Sequence, residues 1–205
     1  MTEDLSQCAC PHGDKGKETI DGMNEEHVPQ ITWGLVNLPE IEPKRILDIG
    51  CGGGIFTKLI LERYPEAKAW GIDISEVSID YSKRFNSELI EDGRLELSIG
   101  NVADMPYENG FFDLIVSNAS HFFWPDLPEN LKEVSRVLRK GGILCLTVGI
   151  HTTDPAVISG YKEQYPSMTI VSDHTMLEYM EDAGMSSEYK VKPDSTFCCY
   201  IGIRR

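Results

Sequence analysis

Residues 45–150 alternate short apolar runs with longer amphipathic stretches. Arg45 to Ile49 is an apolar run that ends in glycines, the pattern of a buried strand. Ile55 to Tyr64 follows with helical spacing and is stopped by Pro65. Ala69 to Asp73 reads as a second strand. Ser75 caps a predicted helix whose apolar stripe is Val77, Tyr81, Phe85 and Leu89, with Gly93 at its end. Arg94 to Ile99 alternates as a third strand, and Phe111 to Val116 forms a fourth. Asp126 caps the next helix, whose stripe is Leu127, Leu131, Val134 and Leu138. Gly141 and Gly142 end that helix, and Ile143 to Val148 is a fifth strand.

Strands that alternate with helices predict a parallel sheet covered on both faces, with ligands bound outside the carboxyl ends of the strands. Residues 1–44 precede this core and residues 151–205 follow it, within a single domain. The following part reads as a helix from Asp173 to Gly184 and two strands, Glu188 to Lys192 and Thr196 to Ile203, paired as an antiparallel hairpin.

Charge narrows the choice of partner. Nineteen Lys and Arg stand against 33 Asp and Glu, a formal charge of −14. Such a field repels phosphate backbones and anionic lipid surfaces, and no basic run offsets it, so neither nucleic acid nor a membrane is expected as a partner. Met1 to Asp14 is polar and acidic, without a leader pattern, and the longest apolar-rich run, Ile143 to Ile150, is too short to span a bilayer. Cysteines at 8, 10, 51, 145, 198 and 199 are few for the length and point to a reducing cytoplasm. Cys8-Ala-Cys10-Pro-His12 does not have zinc-site spacing, so no metal is expected, and Cys198 and Cys199 point to opposite faces of a strand.

The first strand runs into Asp48-Ile-Gly50-Cys-Gly52-Gly-Gly54 and then a helix. Glycines there let the chain turn tightly and let a ligand approach the backbone, which suggests a nucleotide. The dinucleotide fingerprint fails, because its third glycine would fall at Ile55. The run Ile46 to Gly54 instead resembles the first motif of class I S-adenosylmethionine-dependent methyltransferases, in particular their small-molecule branch. Gly71 to Ser75, Gly100 to Tyr107, Phe112 to His121 and Arg136 to Gly142 resemble the later motifs of that family, in order, across about half of the chain.

The resemblance implies a doubly wound, Rossmann-like α/β fold of seven mostly parallel strands with a C-terminal antiparallel hairpin. It implies S-adenosylmethionine as cofactor and methyl transfer to the O, N or S of a small or medium-sized acceptor. Asp48 would hold the cofactor's amino group, Gly50, Cys51 and Gly52 its methionyl and ribose parts, and Asp73 the ribose hydroxyls. Ile74 and Val102 would face the adenine, and Asn118 would sit at the end of the fourth strand. Asn101 stands where the family often has Asp, and its amide oxygen can still accept from the adenine amino group. The Asn-Pro-Pro-aromatic motif of base amino-methylases is replaced by Ser117-Asn118-Ala-Ser. A cofactor sensor without turnover, or a different group transfer with the same cofactor, fits the same motifs.

For the acceptor, His121 and His151 follow the fourth and fifth strands, where a neutral imidazole could take a proton, and Tyr107 lies on the same edge. The alternative for each histidine is a rim position with no proton role. Phe122, Phe123 and Trp124 either line an acceptor pocket or pack beneath the next helix. By family analogy, residues 1–44 form a lid in which Met23, His27 and Trp33 are acceptor-site candidates, Trp33 and Leu35 otherwise docking their helix on the core.

Overall fold

The structure is a computed structural model and describes residues 5–205. Three helices come first: α1 (Leu5–Ala9), α2 (Gly13–Glu26) and α3 (Val28–Asn37). The core then runs β1 (Arg45–Ile49), α4 (Ile55–Arg63), β2 (Lys68–Asp73), α5 (Glu76–Phe85), α6 (Ser87–Glu91), β3 (Leu95–Ile99) and β4 (Phe112–Asn118). A short 3-10 turn over Ser120–Phe123 leads into α7 (Leu127–Val137) and β5 (Leu138–Val148). The chain ends with α8 (Pro155–Gln164), α9 (Asp173–Asp182), β6 (Met185–Val191) and β7 (Cys198–Arg204).

The seven strands form one sheet in the order β3-β2-β1-β4-β5-β7-β6. Pairs from β3 to β5 are parallel, and β7 is antiparallel to both β5 and β6. The predicted fold class is therefore observed, with β7 inserted between β5 and the edge strand β6. Reversal of strand order around β1 and β4 leaves a crevice at their carboxyl ends.

Alternation along each strand assigns side chains to two cores. Leu47, Ile49, Ile115, Leu144 and Leu146 pack with α7 and α9, while Ile46, Leu114, Val116 and Cys145 pack with α3 and α4. Cys198 and Cys199 fall on opposite faces, as expected. Asp48 shares the face of Ile46 and thus meets α4. Asn118 and Thr147 share the face of Val116 and Cys145 and thus meet α3.

Two predicted helices differ. The stripe Val77, Tyr81, Phe85, Leu89 is not the buried face of α5; Ser78, Ile79, Ser82 and Asn86 are buried, and the helix breaks at Asn86. The turn after β1 packs against this face, and Asn86 Nδ2 donates to Gly54 O at 3.2 Å, which favours small and polar groups over large apolar ones. Phe85 and Tyr81 stack on the outside. Likewise α7 stops at Val137 rather than at Gly141. Leu138 already pairs with Phe112, and Gly141 and Gly142 lie where the β4–β5 register shifts between Phe112 and Leu114.

Gly34 marks the closest approach of α3 to the sheet: a Cβ there would stand 2.1 Å from Thr147 Cγ2. Gly34→Ala gains about 1 kcal/mol in helix propensity. The overlap with a stiff β-branched side chain outweighs this, for a net loss of about 1–2 kcal/mol in urea unfolding. Unchanged or higher stability would contradict the packing of α3 on β5.

Candidate functional site

The turn after β1 is fixed by its neighbours. Gly50 N and Cys51 N both donate to Ile72 O, at 2.8 and 3.1 Å, which ties the turn to β2. Gly52 has φ +50, and no atom lies within 4 Å of the position its Cβ would take, so its bare face opens on the cavity. At Gly53 a Cβ would lie 2.5 Å from both Ile20 and Asn24 of α2, so this glycine permits α2 to lie directly on the turn.

Two carboxylates stand at the ends of β1 and β2. Asp48 Oδ2 accepts from Thr57 Oγ1 at 2.6 Å, while the buried Oδ1 has no partner. Burial, opposed by the Thr57 hydrogen bond, pushes the Asp48 carboxyl up to about 7. Asp73 accepts from Ser75 N and Gly52 N, both at 2.9 Å, and burial raises its carboxyl in spite of these donors. Burial drives the Cys51 thiol far above its ordinary range, so it packs the turn and is no nucleophile.

These groups open into a cavity of about 850 Å³ along the carboxyl edge. Asp48, Gly50, Cys51, Gly52, Asp73, Ile74, Asn101, Val102 and Asn118 all contribute to its wall. Ile74 is 52% exposed and Val102 is buried, apolar walls on the β2 and β3 side. Asn101 Oδ1 accepts from Ala103 N at 2.9 Å, capping its own turn, which leaves the oxygen's second lone pair and the amide N–H groups for a ligand. Asn118 Oδ1 accepts from Gln30 Nε2 and Thr147 Oγ1, both at 2.6 Å, which locks α3 to β4 and β5.

The segment before β1 roofs the cavity. Ser75 Oγ donates to Pro11 O at 2.5 Å, Tyr81 Oη donates to Asp21, and Asn24 Nδ2 donates to Gly53 O at 3.3 Å. Met23, His27 and Gln30 line the cavity. Trp33 does not; its indole N–H donates to Lys190 O, and Leu35 is buried in the core, so both dock α3. Asn24, Gln30, Ser75 and Ser120 carry the site's polar framework and were not among the sequence candidates. Their bonds to Gly53, Asn118, Pro11 and Ile49 span distant parts of the chain, so local spacing, which marks Ser75 only as a helix cap, does not reveal these roles.

None of the three proton-transfer candidates has its side chain in the cavity wall. His121 is 1% exposed and lies under Phe122, at 4.2 Å between ring centroids. Burial drives its pKa down to about 3, and its Nδ1 is unpartnered. His151 Nδ1 lies 3.3 Å from Asp173 Oδ2, and Tyr200 Oη donates to Asp173 Oδ1 at 2.5 Å, a buried polar cluster beside the cavity. Tyr107 packs with Phe111 and Phe112, 6.2 and 4.8 Å away, and burial raises its phenol. Phe122, Phe123 and Trp124 do reach the wall, and Trp124 Nε1 donates to Ser120 Oγ at 3.2 Å. Among the described residues no group of His, Cys, Asp and Glu could hold a metal.

The state of Asp48 has a measurable consequence. Its carboxyl holds a proton more tightly in the folded chain than in the unfolded one. It therefore favours the ligand-free fold at low pH, and that stability is lost as pH rises from about 4 to about 7. Asp48→Asn should remove most of this fall, Asp73 keeping a remnant of the same sign. It should stabilise the ligand-free protein at pH 8 by about 2–4 kcal/mol. Urea titrations at pH 5 and pH 8 read the difference, and an equal effect at both would refute the buried, ionising carboxyl.

A family model described as a methyltransferase domain matches residues 47–146. The malonyl-acyl-carrier-protein O-methyltransferase of Acetivibrio thermocellus is 34% identical over 123 residues, 58% of this chain and 41% of that protein. The trans-aconitate 2-methyltransferase of Rhodopseudomonas palustris is 29% identical over 124 residues, 60% of this chain and 46% of that protein. The chain thus spans about half the length of the curated relatives it matches. Geranyl diphosphate C-methyltransferase from Streptomyces coelicolor shares the fold, with a TM-score of 0.74 at 20% identity over 98% of this chain and 88% of that one. The order of strands, the turn after β1 and these similarities agree: the chain belongs to the class I S-adenosylmethionine-dependent methyltransferases.

Proposed function

We propose that this chain moves a methyl group from S-adenosylmethionine to a small or medium-sized acceptor. The observation that carries this reading is the unpartnered Oδ1 of Asp48, buried at a cavity that Gly52 and Asp73 also line. A buried carboxylate oxygen without a donor is costly unless a ligand supplies one, and an ammonium group does so. The other residues fit the rest of the cofactor: Asp73 for paired hydroxyls, Ile74 and Val102 for the faces of a flat ring. When bound, S-adenosylmethionine supplies a methyl group made electrophilic by a sulfonium.

The chain's own contribution is alignment and dryness. Asp48 and Asp73 hold two ends of the donor, the backbone at Gly52 allows close approach, and α2 with the 3-10 turn excludes water. The formal −14 charge disfavours a polynucleotide acceptor. Among the described residues no helix is long and apolar enough to cross a membrane. A cytoplasmic setting, with thiols reduced, suits a chain with so few cysteines for its length.

Titration calorimetry should give micromolar affinity for S-adenosylmethionine, about −8 kcal/mol. Asp73→Ala, with circular dichroism confirming the fold, should weaken binding about 10–100-fold through lost charge-assisted hydrogen bonds. Folded wild-type protein that gives no binding heat would sink the reading. Product formation with a panel of acceptors separates the enzyme from a sensor of the same cofactor.

A further inference from the structure

The cavity has an end that the cofactor does not need. Asp73, Ile74 and Val102 occupy the β2 and β3 side and Asp48 the centre, which leaves the β4 and β5 side for an acceptor. The roof runs across in the same sense. Pro11 is anchored on Ser75 after β2, Asn24 on Gly53 after β1, and Gln30 on Asn118 at the end of β4. Lys15, the only Lys or Arg in the wall among the described residues, lies early in α2, about 18 Å of helix from His27. The acceptor end is built instead from Met23, His27, Gln30, Phe123, Tyr165 and Met168.

Among the described residues no cation lines that end, so a carboxylate acceptor would be desolvated without a partner. Glu26, the wall carboxylate next to His27 in the chain, is exposed, so it gives an ammonium acceptor only a solvent-screened partner. Gln30 donates to Asn118 and the indole of Trp124 to Ser120, and neither an amide nor an indole takes up a proton near neutral pH. His27 remains. Its imidazole makes no hydrogen bond among the described residues, and it stands at the junction where α2 ends and α3 begins. Burial, opposed by Glu26, lowers its pKa, and the facing ends of the α2 and α3 dipoles oppose each other there, so the ring is neutral with a free lone pair.

We propose that this end takes an uncharged acceptor carrying a weakly acidic hydroxyl or thiol on an aromatic or apolar body, with His27 as the group that receives its proton. The inference rests on the methyl-transfer reading above. The acceptor's O–H or S–H bond breaks and its proton passes to the His27 ring nitrogen. The freed electron pair forms the bond to the methyl carbon. The carbon–sulfur bond of the donor breaks with its pair left on sulfur as a neutral thioether, and the imidazolium later returns the proton to water.

The test has a binding arm and a turnover arm. With S-adenosylhomocysteine present, calorimetry should show 4-methylphenol and phenylmethanethiol, both uncharged at neutral pH, binding at least about 10-fold more tightly than trans-aconitate or benzylamine. Tighter binding of either charged probe overturns the proposal. His27→Gln should leave S-adenosylmethionine affinity within about 2-fold and cut methylation of 4-methylphenol about 100-fold. It should cut methylation of pentafluorothiophenol, already ionised in neutral water, less than about 3-fold, since no proton remains to be taken. Equal losses for both acceptors reduce His27 to a packing role and overturn its assignment. Wild-type protein that binds S-adenosylmethionine yet methylates none of these probes overturns the proposal and leaves the cofactor site standing. Failure to bind S-adenosylmethionine at all overturns the function itself.

Discussion

The turn between β1 and α4 sits inside the protein, and its backbone polar groups must all be met there. Ser120 Oγ donates to Ile49 O, Ile72 O accepts from Gly50 and Cys51, and Asp73 accepts from Gly52. Asn24 donates to Gly53 O and Asn86 to Gly54 O. Buried amide groups left without partners cost about 1–3 kcal/mol each, so these contacts are close to obligatory. They also come from four separate places in the chain. Satisfying one turn therefore gathers the roof, the end of β2, α5 and the 3-10 turn around a single cavity.

This arrangement explains why the site is part scaffold and part choice. Groups that meet the turn from the sheet side, Ile72 and Asp73, are set by strand register. Groups that meet it from outside, Asn24 and Ser120, bring the walls of the acceptor end with them. Asn24 carries Met23 and His27 over the opening. Ser120 carries Phe122, Phe123 and Trp124. The acceptor end is thus built on elements that the cofactor turn recruits, and its chemistry is free to differ while the turn stays the same.

Much of the fold was legible because the chain alternates so regularly. A strand's period of two fixed Asp48 on the face of Ile46, and the parallel register, which pairs Asp48 with Gly71, placed Asp73 two residues further along the neighbouring strand. The α5 stripe misled because the helix faces a glycine-rich turn, where Ser78, Ser82 and Asn86 fit and large side chains do not. Leu138 misled because a helical stripe and a strand can share an apolar residue at their junction, and only pairing with Phe112 decides between them. His121 misled for a backbone reason. Ala119 has φ +55, which ends the alternation of β4 and turns the following residues into a 3-10 segment. That reversal buries the histidine and presents its aromatic neighbours.

The sequence by itself determined the alternation of strands and helices, the glycine turn, and the two carboxylates that end β1 and β2. Each of these depends on local spacing, on the periods of strand and helix and on the sterics of glycine. Tertiary structure alone decided that Asn24 and Gln30 lie over the cavity, that His121 turns inward, and that Lys15 stands at the far end. Those placements depend on hydrogen bonds between residues far apart in the chain and on one left-handed alanine, and no local pattern encodes either.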